Sequence, residues 1–166
     1  SSDEGQKSQE EVTHDVAEVN LKKLPPAFDM ELAELKYPIL WEQSMNTVLV
    51  QELLRYNKLT EVIKTSLQNT MDGMKGKIVL SEQLEKVGNS LFYGRIPQLW
   101  AENSYPSLKP LGGYVNDLLE RLSFFQKWLD TQAPPAFWFP GLYFSAAFLT
   151  GNLQNFARKY TVPIDH

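Results

Sequence analysis

Ser44-Met45-Asn46-Thr47-Val48-Leu49-Val50-Gln51-Glu52-Leu53-Leu54-Arg55-Tyr56-Asn57-Lys58-Leu59-Thr60-Glu61-Val62-Ile63-Lys64-Thr65-Ser66-Leu67-Gln68-Asn69-Thr70-Met71 is the stretch whose spacing settles the fold. Met45, Leu49, Leu53, Tyr56, Leu59, Ile63, Leu67 and Met71 follow one another at intervals of three or four residues, with no proline or glycine between them. Side chains so spaced share one face of an α-helix. At about 1.5 Å per residue the helix is roughly 40 Å long. Val48, Val50, Leu54 and Val62 lie beside the stripe and widen it, as expected of a helix packed on more than one neighbour. Fraying is expected near Gly73 and Gly76.

Helical periods recur on both sides of this segment. From Gln9 to Lys23 the apolar positions are Val12, Val16, Val19 and Leu24, with Lys22 and Lys23 placed to favour a helix C-terminus. Pro25 and Pro26 stop that helix. Asp29 can cap a short helix, and Pro38 marks the next boundary. Beyond the long helix, Leu80, Leu84, Val87 and Leu91 outline another, with Ser81 as N-cap and Gly94 as its stop. Arg95 to Trp100 reads as a short apolar link, and Asn103 to Ser107 as a turn-rich loop. Leu111, Val115, Leu118, Leu122, Phe125 and Leu129 then step by 4, 3, 4, 3, 4. That run is too short for a coiled-coil seam and fits a bundle helix.

Between Asp130 and Arg158 there is no charged side chain. The aromatics of Pro134 to Asp165 (Phe137, Trp138, Phe139, Tyr143, Phe144, Phe148, Phe156 and Tyr160) make that stretch a candidate centre of the core. Prolines and Gly141 interrupt it, leaving an apolar run of Leu142 to Leu149, short of the roughly 20 residues a membrane span needs. Gly141 to Tyr160 is expected to be the last helix. The reading is therefore an all-α protein, a bundle of about five to six helices with one long helix and short loops between neighbours.

Composition narrows the functional classes. The 166 residues suit one domain; 43% are hydrophobic and 12% aromatic, enough for a real core. A net charge of -4 argues against a nucleic-acid surface, which carries a basic patch. Cysteine is absent, which excludes disulfides and thiolate metal sites. Ser1 to Glu11 is polar and acidic and does not read as a signal peptide, so a soluble protein is expected.

No motif offers a chemistry. Gly73-Met74-Lys75-Gly76-Lys77 faintly resembles a phosphate-binding loop, but its glycines are three apart, Ile78 follows Lys77, and helices flank it. His14 and His166 lack partners at metal-ligand spacing. Glu31, Glu34, Glu52, Glu82, Glu85, Asp117 and Glu120 mostly fall on presumed polar helix faces, where a solvated carboxylate is the default. No nucleophile has a base. Arg95-Ile96-Pro97-Gln98-Leu99-Trp100 and Tyr105-Pro106-Ser107-Leu108-Lys109-Pro110-Leu111 read as loop clamps, with a ligand groove as the alternative. Arg158-Lys159 suits the end of the last helix. No catalytic, cofactor-binding or metal-ligating residue is assigned.

Four blocks, in order, carry a resemblance. They are Ser44 to Glu52 with Arg55-Tyr56-Asn57; Asn89-Ser90-Leu91-Phe92 with Pro97 and Trp100; Tyr105 to Gly112; and Phe148-Leu149-Thr150-Gly151-Asn152-Leu153-Gln154-Asn155-Phe156-Ala157-Arg158-Lys159. Together they resemble the C-terminal region of dynein heavy chains, of axonemal rather than cytoplasmic wording, and of the inner-arm type in Phe148 to Asp165. The helix leading to Leu24-Pro25-Pro26 is similar to the stretch that joins the sixth AAA+ module to this region. The resemblance implies two parts: residues 1–37, a flexible N-terminus and joining helix, and residues 38–166, the helical part of the C-terminal domain. In the family a β-rich portion follows, so a segment of a longer protein, or a short form, is expected.

The resemblance further implies a parent that is an ATP-driven microtubule motor of cilia and flagella, with a coiled-coil stalk. ATP and Mg would be bound in upstream AAA+ modules, leaving no cofactor and no enzymatic activity in this segment. Its partner would be the AAA+ ring of the same heavy chain, on which it packs as a structural and regulatory element. Other dynein chains and microtubules are reached through the parent; no nucleic acid and no membrane are expected. Apolar faces left uncovered could pair in a homo-oligomer. The alternative is a stand-alone helical adaptor that binds a peptide or partner helix.

Overall fold

Six helices account for the regular structure of the described residues, 6–38 and 44–131 of the computed structural model: α1 (Gln9–Lys23), α2 (Met30–Lys36), α3 (Ser44–Met74), α4 (Glu82–Phe92), α5 (Gln98–Ala101) and α6 (Leu111–Thr131). No strand occurs among them. The expected last helix from Gly141 and the aromatic stretch from Pro134 lie outside the described residues, as does the Met45 side chain. No described helix is long and apolar enough to cross a membrane.

The stripe of α3 is buried throughout its described side chains: Leu49, Leu53, Tyr56, Leu59, Ile63, Leu67 and Met71. Val48 and Val50 are buried with it, Val62 is half-buried, and Leu54 remains 50% exposed. At 31 residues α3 is about 46 Å long. It runs through Gly73 rather than fraying there. Every member of the α6 stripe, Leu111, Val115, Leu118, Leu122, Phe125 and Leu129, is also buried.

Local chemistry sets the helix ends. Each N-cap oxygen accepts a backbone N–H three residues on: Ser8 from Glu11, Asp29 from Leu32, and Ser81 from Leu84, at 3.0–3.2 Å. Two glycines with positive φ close helices at the other end. Gly76 (φ +73°) follows α3, where the Lys77 N–H donates to the Asp72 carbonyl (2.9 Å) and Gly76 N–H to the Gly73 carbonyl (3.1 Å). Gly94 (φ +67°) repeats the pattern after α4, with Arg95 N–H to the Ser90 carbonyl (2.8 Å) and Gly94 N–H to the Leu91 carbonyl (3.2 Å). These paired bonds satisfy carbonyls the helix end leaves open, and they need a left-handed residue that only glycine adopts at little cost.

Three sequence expectations change. α4 begins at Glu82, so Leu80 precedes the cap instead of lying in the helix; it packs at Gly73, where an added Cβ would meet Leu80 Cδ1 at 2.6 Å. The link Arg95 to Trp100 contains the one-turn helix α5. In α1 the buried residues are Thr13, Ala17 and Asn20, not the valine stripe, and Val19 is 52% exposed. Small side chains suit the docking of α1 on α4, where Thr13 Cγ2 lies 3.6 Å from the point a Cβ on Gly88 would occupy. The buried polar groups turn inward: Thr13 Oγ1 donates to the Gln9 carbonyl and Asn20 Nδ2 to the Val16 carbonyl, both at 2.8 Å.

The chain divides into two compact units, Ser1–Pro26 with Lys58–Leu119, and Ala27–Asn57 with Glu120–His166, so α3 and α6 supply residues to both. In the first, the Lys64 ammonium donates to the Pro25 carbonyl (2.6 Å) and Leu111 N–H to the Gly94 carbonyl (2.9 Å), tying the start of α6 to the end of α4. In the second, Asn57 accepts the Phe28 N–H (2.8 Å) and donates to the Phe28 carbonyl (3.1 Å), pinning the segment before α2. Tyr56, Phe125 and Trp128 form its aromatic centre, with ring centroids 5.2 and 6.2 Å apart. The Lys36 ammonium and Tyr37 hydroxyl donate to the α6 carbonyls of Leu129 (3.1 Å) and Trp128 (2.8 Å), where a cation also favours the helix dipole.

Glycine and asparagine substitutions separate these roles. Gly94→Ala forces a left-handed alanine and should cost about 1–2 kcal/mol. Gly88→Ala places its methyl in ordinary contact with Thr13, Thr70 and Met74 and should gain about 0.5–1 kcal/mol from helix propensity. Asn57→Ala leaves two Phe28 backbone groups unpaired and should cost about 1–3 kcal/mol. Urea unfolding monitored by far-UV circular dichroism checks all three.

Candidate functional site

The aromatic-proline segments fold into one clamp in the first unit. Pro97 starts α5 and is buried, and the helix places Trp100 fully inside. Its indole Nε1–H donates to Ser66 Oγ (2.8 Å), and that hydroxyl donates onward to the Ile63 carbonyl (2.9 Å). Tyr114, on the first turn of α6, lies between two aromatic neighbours. Its ring stacks on Tyr105 (centroids 5.6 Å, 21° between planes) and sits 6.3 Å from Trp100. The Tyr114 hydroxyl donates to Ser104 Oγ (2.7 Å), which donates to the Tyr105 carbonyl (2.9 Å). Between the buried ends Tyr105 and Leu111 the loop is open, and Leu108 projects wholly into solvent. The clamp reading holds here, and the aromatic rings face their own core.

The other residues singled out by sequence do not converge. Lys75 and Lys77 are placed by the α3 stop, between two helices, without the strand a phosphate loop requires. His14 lies on α1 with Nδ1 3.7 Å from the Glu18 carboxylate, while its Nε2 is buried without a hydrogen bond. His166 and Arg158-Lys159 lie outside the described residues. Glu31, Glu34, Glu82, Glu85 and Glu120 are exposed, and Glu82 pairs with Lys86 at 3.5 Å. Asp117 is largely covered and pairs with Lys109 at 3.5 Å. No group of acidic or histidine side chains among the described residues could hold a metal ion.

Glu52 overturns the expectation of a solvated face. It is fully buried on α3, in the second unit, one turn before Tyr56, whose hydroxyl accepts from Arg121 Nη1 at 3.1 Å. A buried carboxylate needs partners, and Glu52 is engaged by one. Its position between Leu49 and Tyr56 on the apolar stripe is the signal that could have found it.

Depressions lie among the described residues of the first unit. One, of about 310 Å³, is lined by Lys7, Glu10, Glu11, His14, Asp15, Met74 and Lys75; another, of about 280 Å³, lies between α4 and α5 and includes Val87 and Leu99. In the first, the Lys7–Asp15 pair (2.5 Å) raises the lysine pKa through its hydrogen bond to Asp15, and lowers that of Asp15 through the same bond. Glu18 is likewise lowered by its hydrogen bond to Lys22. The Lys7–Asp15 pair is fully formed above the ordinary carboxylate pKa of about 3.9. It is lost as pH falls through the lower folded value of Asp15, and in base as pH climbs through the raised value of Lys7. Both groups are exposed, so salt screens the pair.

Two measurements follow from this geometry. Ser66→Ala leaves the buried Trp100 indole without its acceptor and should cost about 1–3 kcal/mol, with a shifted tryptophan emission in the native state. Lys7→Ala should remove a small, salt-sensitive stabilisation at pH 7 and none in acid strong enough to protonate Asp15, read as the difference in thermal midpoint.

Comparison of the amino-acid sequence with known proteins points to a family. The family model for the C-terminal domain of the dynein heavy chain matches residues 1–166. Human dynein axonemal heavy chain 3 is 54% identical over 160 residues, covering 96% of this chain and 4% of the relative. Human dynein axonemal heavy chain 12 is 50% identical over 155 residues (93% of this chain, 5% of the relative). Human dynein axonemal heavy chain 1 is 48% identical over 165 residues (99% and 4%). The chain thus spans only 4–5% of the length of these relatives. With the family model matched from end to end and about half of its residues shared with these relatives, the chain belongs to the family of C-terminal domains of dynein heavy chains.

Proposed function

We propose that this chain is the helical C-terminal segment of an axonemal dynein heavy chain, of the inner-arm type, and that it serves a microtubule motor as a packing and regulatory element. The observation that carries the reading is the family match over residues 1–166 together with 54% identity to an axonemal heavy chain. The parent works in the axoneme of a cilium or flagellum. It binds and hydrolyses Mg-ATP in AAA+ modules elsewhere in the heavy chain, and this segment lies against the ring those modules form. Microtubules and other dynein chains are contacted by the rest of the motor. The segment takes no nucleotide or metal itself and contacts neither nucleic acid nor membrane.

The adaptor reading requires the aromatic-proline segments to be open to a peptide. Trp100, Tyr105 and Leu111 are buried among their own neighbours, which disfavours it. A packing role also accords with a Glu52 that is buried on the α3 stripe rather than displayed.

Two assays test the reading. The purified 166-residue protein should show neither ATP binding by calorimetry nor phosphate release above background; turnover in a clean preparation would overturn it. Deleting the region from the intact heavy chain should leave basal ATP hydrolysis measurable but change microtubule-stimulated turnover or gliding velocity at least twofold. A motor indifferent to the deletion would remove the regulatory role.

A further inference from the structure

Between α3 and α4 the chain presents Lys75-Gly76-Lys77-Ile78-Val79, a run in which every residue is exposed. Val79 is 91% exposed and Ile78 40%, although β-branched apolar side chains gain by leaving water. The segment is held at both ends. The bonds that stop α3 fix Lys77, Leu80 packs at Gly73, and Ser81 accepts the Leu84 N–H (3.2 Å) as the cap of α4. Between those anchors Ile78, Val79 and Leu80 belong to no helix and make no hydrogen bond with the described residues. Leu80 packed inward and Val79 projecting outward follow the two-residue alternation of a strand. Ser81 continues with β-region dihedrals (φ -71°, ψ 163°). Main-chain donors and acceptors thus stand open beside a projecting valine, as they do at the edge of a sheet.

We propose that Ile78–Val79–Leu80 is a recognition edge for an extended segment of another polypeptide, one in which acidic side chains flank apolar ones. Main-chain pairing supplies the hydrogen bonds, and Ile78 and Val79 supply the apolar contact. The charge of the occupant follows from the setting. Lys75 and Lys77 are exposed and form no ion pair with a described residue. Glu82, the first acidic residue after the segment, is already answered by Lys86 at 3.5 Å. Lys75 also borders the depression that contains Glu10, Glu11 and Asp15, so Lys77 carries the larger share of the attraction. Lysines beside an open edge repel a second copy of the same edge, and the same charges favour a strand that brings carboxylates. Because the segment is already held by its anchors, little ordering cost falls on this side of the contact.

The test uses the isotopically labelled 166-residue protein and a short capped peptide that alternates glutamate with valine. Titration followed by NMR should shift the amide signals of Ile78, Val79 and Leu80. At saturation, hydrogen exchange of at least one of these amides should slow about tenfold or more. A peptide with lysine in place of glutamate, and one whose valine nitrogens are methylated, should each bind about tenfold more weakly. The first loses the charge match and the second the main-chain donors. The double substitution Lys75→Glu with Lys77→Glu should reverse the order of the glutamate and lysine peptides. An absence of shifts at these residues, undiminished binding by either altered peptide, or an unchanged order in the folded double variant would overturn the proposal. So would anionic lipid vesicles that displace the peptide, or shifts at Ile78 to Leu80 that grow with protein concentration before any peptide is added. The peptide comparisons need no variant, so they decide the matter if the double substitution does not fold.

Discussion

Burial of α3 is the constraint on which the rest of the described structure depends. A helix whose stripe is covered from Leu49 to Met71 has little surface left for stray polar groups, yet Glu52, Thr60, Ser66 and Thr70 are buried on it as well. Each unpaired group in such a setting costs on the order of 1–3 kcal/mol. Thr70 answers by donating to the Ser66 carbonyl (2.7 Å), and Ser66 to the Ile63 carbonyl. Ser66 also has an acceptor lone pair to spare, and the Trp100 indole uses it. The depth at which α5 inserts is therefore fixed by a hydroxyl on α3. Trp100 in turn sets the place of Tyr114, and Tyr114 that of the Tyr105 loop. The buried polar groups of α3 give its neighbours a register that apolar packing alone leaves loose.

Legibility follows the strength of the pattern. The α3 and α6 stripes are readable because many large side chains repeat without interruption and nothing local competes. Caps at Asp29 and Ser81 and the stop at Gly94 are readable because a short oxygen or a left-handed φ is a chemical requirement at one position. The bounds of α1 are legible, but its inward face is turned a quarter from the apolar stripe. Its valines are the most apolar residues available, whereas close approach to α4 selects small ones, and an internal hydrogen bond lets Thr13 and Asn20 pass as small. Glu52 misleads because composition places carboxylates outside. Only its register between Leu49 and Tyr56 reveals that it points inward, and register says nothing about which partner makes burial tolerable. α5 escapes notice because one turn of helix carries no period.

The residues that carry the family resemblance are largely those that carry the architecture. Ser44 to Glu52 is the first part of α3. Asn89 to Phe92 closes α4, and within it Ser90 supplies the carbonyl that Arg95 caps. Tyr105 to Gly112 is the clamp and the entry to α6. None of these blocks displays a reactive group, so what the likeness identifies is a way of packing. This is why motif chemistry can exclude phosphate, metal and nucleophile readings for Gly73 to Lys77, His14 and the carboxylates without arriving at a function. The family likeness comes from the order of the blocks along the sequence.

A domain that acts by packing can influence a motor only through contacts that differ between the motor's states, since a contact equal in both shifts no equilibrium. The distribution of apolar burial bears on where such a difference can arise. α3 and α6 bury long runs of leucine, isoleucine and aromatic side chains, and moving either would expose much of the core at once. α1 is held differently, by one alanine, two small polar residues, a side-chain hydrogen bond from Gln9 to Asn89 (3.3 Å) and the Lys64 anchor at Pro25. Little apolar area is lost if it shifts, so its docking belongs to the low end of the local stability range.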